Sequence, residues 1–231
     1  MRVAMIYSGG KDSTLALIKS MSENTVECLI NLIPHSEESY VFHFPNTEFV
    51  KYQAISMGLP IVQERVGAGE GEMDVFKKTV KFVKDKYKIE GIVSGVIKSS
   101  FQYKKFKSLC EEIGIKFITP LWQMDQIEVL KEVIKNKIES IITCVAAYPL
   151  DESYLGRRID ESFIEDMKIL QKKFGINPSG EGGEYETFVL DAPIFRKRII
   201  LKSFEKTYKD YFGVLKFKEV ELLEKSENGK E

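Results

Sequence analysis

The chain has 231 residues, 43% hydrophobic and 30% charged, so it can bury a full core and is neither disordered nor of low complexity. Its 34 Lys and Arg oppose 35 Asp and Glu, a net charge of −1 that makes no electrostatic case for nucleic-acid binding. No apolar run reaches the roughly 18 residues of a membrane span, and the opening residues lack a signal peptide's apolar region, so a cytoplasmic location without membrane contact is expected.

Residues 3–7 form a short, almost wholly apolar run, as a buried parallel strand requires. A glycine-rich turn follows, then a helix opening near Ser13 with Leu15, Leu17, Ile18 and Met21. Residues 26–33 predict a second strand stopped by Pro34. Thr47 can cap a helix whose apolar face is Val50, Ala54 and Met57, closed by Gly58. Residues 61–66 predict a third strand, and Phe76, Val80, Val83 and Tyr87 share one face of the next helix. A short strand over 91–95, a helix marked by Phe106, Leu109, Cys110 and Ile113, and a strand over 115–118 continue the alternation. Asp125 and Glu128 resemble a capping box ahead of Ile127, Leu130 and Ile134.

Repeated β-then-α units predict a doubly wound α/β domain with a parallel sheet. The rhythm changes after an apolar segment over 138–147. Phe163, Met167, Leu170 and Phe174 mark a helix stopped by Gly175; a polar, glycine-rich stretch over 177–187 follows, then strands over 188–195, 199–204 and 213–223. We therefore expect an α/β domain over 1–140 and a smaller α+β domain over 141–231, with a charged tail over 224–231 that frays.

The sharpest signal is Ser8-Gly9-Gly10-Lys11-Asp12-Ser13, set between the first strand and an amphipathic helix. Adjacent glycines allow a tight turn and close backbone approach to a ligand. The unsatisfied N–H groups of the helix's first turn, with its dipole, favour an anion. Lys11 adds a cation, and Ser8 and Ser13 add hydroxyl donors, which together make a phosphate cradle. The spacing fits neither the Walker loop nor the dinucleotide fingerprint. The alternative is an ordinary strand-turn-helix junction capped by Ser13.

The hexapeptide resembles the SGGxDS pyrophosphate loop of ATP pyrophosphatases. Phe42-His43-Phe44-Pro45-Asn46, residues 91–95 and Pro120-Leu121-Trp122-Gln123-Met124-Asp125-Gln126 follow in an order similar to that of the diphthine–ammonia ligase family. Val145-Ala146-Ala147, Leu155-Gly156-Arg157 and the run Asn177-Pro178-Ser179-Gly180-Glu181-Gly182-Gly183-Glu184-Tyr185-Glu186-Thr187 extend the resemblance to about Phe195. The resemblance implies ATP-dependent amidation of diphthine on elongation factor 2 with ammonium, through an acyl-adenylate, releasing AMP and pyrophosphate. It implies ATP and Mg2+ as cofactors and the diphthine-modified factor as protein substrate. The family pattern is broken where Val96 replaces an expected acid and Phe101 an expected tyrosine. The rival readings are another adenylating pyrophosphatase, acting on a tRNA base or a small carboxylate, and an ATP-binding sensor without turnover. A homo-oligomer is compatible with the sequence.

On this resemblance, Ser8, Gly9, Gly10, Lys11, Asp12, Ser13, His43 and Gly95 bind the nucleotide, a structural histidine being the alternative for His43. Asp12 would hold the metal, or else serve as a carboxylate at a helix N-terminus. Lys11, Asp12, Glu184 and Glu186 are the catalytic candidates, and Gln102, Glu181, Tyr185 and Arg157 the substrate-binding ones. Glu181, Glu184 and Glu186, close together on a flexible loop, suit an ammonium pocket, a base acting on ammonium, or recognition of a trimethylammonium group; a solvated acidic loop is the alternative. Trp122 is expected to pack between layers, and Arg196-Lys197-Arg198 to form a solvated turn. Cys28, Cys110 and Cys144 are unpaired by spacing and few for a glutamine-splitting or cluster-bearing enzyme, which leaves free ammonium as nitrogen donor.

Overall fold

The computed structural model describes residues 1–34 and 46–225. The motif at Phe42, His43, Phe44 and Pro45 and residues 226–231 of the charged tail lie outside the described residues, while the start of that tail is held, Glu224 by Lys197 and Lys225 by Asp191. Five strands, β1 (Arg2–Ile6), β2 (Thr25–Ile33), β3 (Ile61–Arg65), β4 (Gly91–Val93) and β5 (Lys116–Ile118), form one sheet in the order β3-β2-β1-β4-β5. Every pairing in it is parallel. The helices α1 (Lys11–Met21), α2 (Val50–Met57), α3 (Glu72–Tyr87) and α4 (Ser100–Ile113) connect these strands, giving the expected doubly wound α/β architecture.

Strand β1 shows why the sheet needs cover on both faces. Val3 and Met5 (with Tyr7 just beyond the strand) enter one apolar cluster, while Ala4 enters the other with Cys28, Phe76, Val80 and Phe106. The first cluster runs on without a break into the second half of the chain, through α5 (Gln126–Lys135) and α6 (Glu161–Phe174) to Phe188 and Phe217. Helix ends follow local chemistry. Asp125 accepts from the amides of Ile127 and Glu128, Asp160 from that of Phe163, and Gly58, Gly114 and Gly175 close their helices at positive φ.

The remaining strands, β6 (Glu139–Val145), β7 (Tyr185–Asp191), β8 (Lys197–Lys209) and β9 (Phe212–Glu224), form an antiparallel sheet ordered β7-β6-β9-β8. Four local expectations change. β7 begins inside the glycine-rich stretch, because Tyr185 and Glu186 pair with Val145 and Cys144 of β6. Lys197 and Arg198 open β8 instead of turning in solvent, and Arg198 and Arg158 both pair with Glu139. Thr47 sits inside a 3-10 turn, Thr47–Phe49, while the Asn46 side chain accepts from Phe217 N and donates to Leu215 O. The capping box is also one-sided, since Glu128 turns to Lys131.

The order of the parallel sheet reverses between β1 and β4, so a crevice opens at their carboxyl ends. Gly95 lets the segment after β4 lie against the first turn of α1: a Cβ there would stand 2.9 Å from the carbonyl of Asp12 and from Ser13 N. Gly95→Ala is therefore expected to cost about 1–3 kcal/mol, read from the denaturant midpoint; an unchanged midpoint would show that the two segments are not in close contact.

Candidate active site

A cavity of about 420 Å³ lies in this crevice, with the turn after β1 as one wall and β7 and the segment before it as another. The turn depends on Gly9, at φ +87°, where a Cβ would approach Gln53 Oε1 to 2.6 Å. Gly9 O accepts from Val189 N and from Gln53 Nε2, each at 2.9 Å, and the same Gln53 nitrogen donates to Val189 O at 2.7 Å. Lys11 N donates to Thr187 Oγ1 at 3.1 Å. The turn and β7 are thus joined directly. Ser8 Oγ donates to Ser13 Oγ at 3.1 Å, and Ser13 Oγ to Gly10 O at 3.0 Å. The N-cap residue Gly10 offers α1 no side chain, and Thr187 takes only the amide of Lys11. Among the described residues the amides of Asp12 and Ser13 meet no acceptor, so an uncapped helix end opens on the cavity.

Carboxylates face this end. The Asp12 Oδ2 accepts from Lys11 Nζ at 2.9 Å, while its buried Oδ1 has no partner among the described residues. Burial raises the Asp12 pKa, and Lys11 opposes the rise. Glu181 Oε1 accepts from the amides of Ile97, Lys98 and Ser99 at 3.2, 2.8 and 2.9 Å. Burial still raises its pKa, with Asp12 adding to the effect. Glu186, on β7 opposite Cys144, has a pKa pushed up to about 8 by burial, against the pull of Lys11 and with Asp12, Glu181 and Glu184 adding to it. No hydrogen bond reaches its carboxylate among the described residues.

The predicted residues fall into three groups. Ser8, Gly10, Asp12, Ser13, Gly95, Gln102, Glu181 and Glu186 line the cavity. Gly9, Lys11, Glu184 and Tyr185 stand behind its wall. Lys11 Nζ is turned inward, donating to Ser179 O at 2.5 Å and lying 5.0 Å from the Tyr185 ring centroid. Glu184 folds the acidic segment onto itself by accepting from Asn177 N, Asn177 Nδ2 and Gly182 N at 3.0, 2.6 and 2.9 Å. The Tyr185 hydroxyl donates to Pro178 O at 2.6 Å. This segment is pinned, not a loose acidic loop. Arg157 stands apart, paired with Asp166 at 2.6 Å and lying over the rings of Tyr154 and Phe163. His43 lies outside the described residues.

Two glutamines that the sequence reading gave no role hold the site's frame. Gln53 and Gln126 are both buried, and Gln126 Oε1 accepts from Ser179 N and Oγ at 3.1 and 2.8 Å. For Gln53 a signal existed: a polar residue at a position that shares the apolar face of Val50, Ala54 and Met57. Trp122 stacks on Tyr103, with centroids 4.0 Å apart, and packs against the second apolar cluster. Cys28 and Cys110 are buried and their pKa values are pushed up to about 12, mainly by that burial, so both stay as thiols.

Residues 1–117 match the diphthamide synthase N-terminal domain and residues 125–223 the diphthamide synthase C-terminal domain. The chain is 34% identical to the diphthine–ammonia ligases of Rattus norvegicus and Homo sapiens over 227 residues, covering 89% of this chain and 84% of each of those proteins. It is 29% identical to the diphthine–ammonia ligase of Danio rerio, covering 98% of both chains. Among solved structures it is similar, at 20% identity and a TM-score of 0.46, to a predicted subunit of tRNA methyltransferase from Methanocaldococcus jannaschii, over 84% of this chain and 98% of that one. Among the described residues, no helix is long and apolar enough to cross a membrane.

The raised Glu186 pKa carries a stability consequence. The native state holds this proton more tightly than the unfolded chain, so the stabilisation is complete below about pH 4.5 and is lost as pH rises through about 8. Without ligands, the melting temperature should fall across that window, and Glu186→Gln should flatten the fall. Equal slopes for the two proteins would contradict the placement of this carboxylate.

Proposed function

Since the chain belongs to the diphthamide synthase family, we propose that it joins ammonia to the carboxylate of diphthine on elongation factor 2, using ATP and releasing AMP and pyrophosphate. The observation that carries this reading is a shared cavity: the uncapped end of α1 and the Glu186 carboxylate face the same 420 Å³ space. The first suits a phosphate chain, and the second suits ammonium, which becomes the nucleophile ammonia once a carboxylate takes its proton. In this reading residues 1–140 hold the nucleotide and 141–231 supply the substrate-facing wall.

The chemistry runs in two displacements. A substrate carboxylate oxygen attacks the α-phosphorus of ATP, and the bond to the bridging oxygen of pyrophosphate breaks. Nitrogen then attacks the acyl carbon, and the acyl–oxygen bond to AMP breaks. The amides of Asp12 and Ser13 receive the departing charge at the helix end. Glu186, with a pKa near 8, can be ionised enough to draw in ammonium and basic enough to take its proton. Lys11 acts by position, holding Asp12 to the carbonyl of Ser179.

Among the described residues, no three His, Cys, Asp or Glu side chains stand together as a complete metal cage. The buried, unpartnered Asp12 Oδ1 nonetheless fits a cation that completes its shell with phosphate oxygens and water. Magnesium, when bound, would neutralise phosphate charge, and Asp12 is the residue that would hold it.

The test is product analysis with ATP, ammonium and diphthine-modified factor. With both ammonium and the modified factor present, amide, AMP and pyrophosphate should form in equal amounts; without ammonium, pyrophosphate release should stop at about one per factor and no amide should form. ADP, or AMP formed without the factor, would contradict the reading. Glu186→Gln should keep ATP affinity and lower ammonium-dependent turnover by on the order of a hundredfold or more, a loss that full activity of the variant would disprove.

A further inference from the structure

Three exposed aromatic side chains from separate elements meet beside the cavity mouth. Tyr148 follows β6, Phe174 ends α6, and Tyr211 sits in the turn between β8 and β9. They are 58%, 47% and 55% exposed. The Tyr148 ring stands edge-on to Phe174 at 5.3 Å and 87°, and to Tyr211 at 5.4 Å and 89°. Phe212, next to Tyr211 and 43% exposed, lines the cavity together with Ala146, so the patch is continuous with the proposed reaction site.

The turn that carries Tyr211 is built against local preference. Lys209 pairs with Phe212, leaving Asp210 and Tyr211 as a two-residue hairpin loop with φ of +50° and +65°. Such turns favour Asn-Gly, because a side chain at positive φ is strained. The Tyr211 ring gains an edge-on contact with Tyr148 there, yet it stays 55% exposed. A strained turn that leaves most of a ring on the surface points to an external contact.

We propose that Tyr148, Phe174 and Tyr211 form the docking platform for the protein segment that bears diphthine on the elongation factor. The inference rests on the function proposed above and extends it to the partner surface. A modified side chain of limited reach can place its carboxylate in the cavity only if the backbone that carries it crosses the rim. That rim presents rings of the kind that dominate binding energy at protein interfaces.

The test is the affinity of the full-length enzyme for the diphthine-modified factor, by calorimetry, beside steady-state kinetics. Tyr211→Gly removes the ring and relieves the strained turn, so the variant should melt no lower than the parent. Its affinity for the factor should fall roughly tenfold or more, and KM for the factor should rise in step, with KM for ATP and kcat unchanged. Tyr148→Ala should act in the same direction. Unchanged affinity in both variants, with the parent binding and amidating the factor, would overturn the platform and leave the proposed function standing. A parent that neither binds nor amidates the factor would overturn both. Loss of self-association without loss of affinity would make the patch an interface between copies and would equally overturn the proposal.

Discussion

The joint between the Gly9 turn and β7 sets the rest of the site. Gly9 O takes two hydrogen bonds, Gln53 bridges the turn to Val189, and Thr187 meets Lys11 N. A parallel sheet with a glycine turn is by itself only an anion site. An antiparallel sheet with an acidic edge is by itself only a solvated surface. Bonded together through main-chain atoms, they face each other across a single cavity at a fixed separation, which is what a reaction between a phosphate-activated carboxylate and a cationic nitrogen source requires.

The charge pattern follows from that joint. Asp12, Glu181 and Glu186 are brought together with one ammonium, that of Lys11, turned into the wall beside them. Each carboxylate is raised above its ordinary pKa by burial. Glu181 is held by three amides and Glu184 by its own loop. Glu186 is left to face the cavity. Three glutamates within six positions therefore stand in three different environments, set by which donors reach them.

Much of this was legible in the sequence. The apolar runs gave the parallel strands, and the spacing of Phe76, Val80 and Val83 gave the buried face of α3. The hexapeptide between β1 and α1 marked the turn that forms one wall of the cavity. What could not be read depends on contacts across long stretches of chain. Glycines around Glu184 look like a loop until pairing with Cys144 and Val145 makes Tyr185 and Glu186 part of a strand. Lys11 looks like a phosphate ligand until the carbonyl of Ser179, 168 positions away, draws its ammonium inward. Arg157 looked available to substrate, but Asp166 and two rings hold it elsewhere. The three rings beside the mouth lie on elements with no local signal connecting them.

A crystal structure with an ATP analogue that resists cleavage between the α- and β-phosphates tests the central claim most directly. The β- and γ-phosphates should lie within hydrogen-bond distance of the amides of Asp12 and Ser13, with the α-phosphorus on the side of the cavity that Glu186 faces. Phosphates bound anywhere else, or a triphosphate whose γ-phosphorus alone approaches the carboxylates, would contradict it.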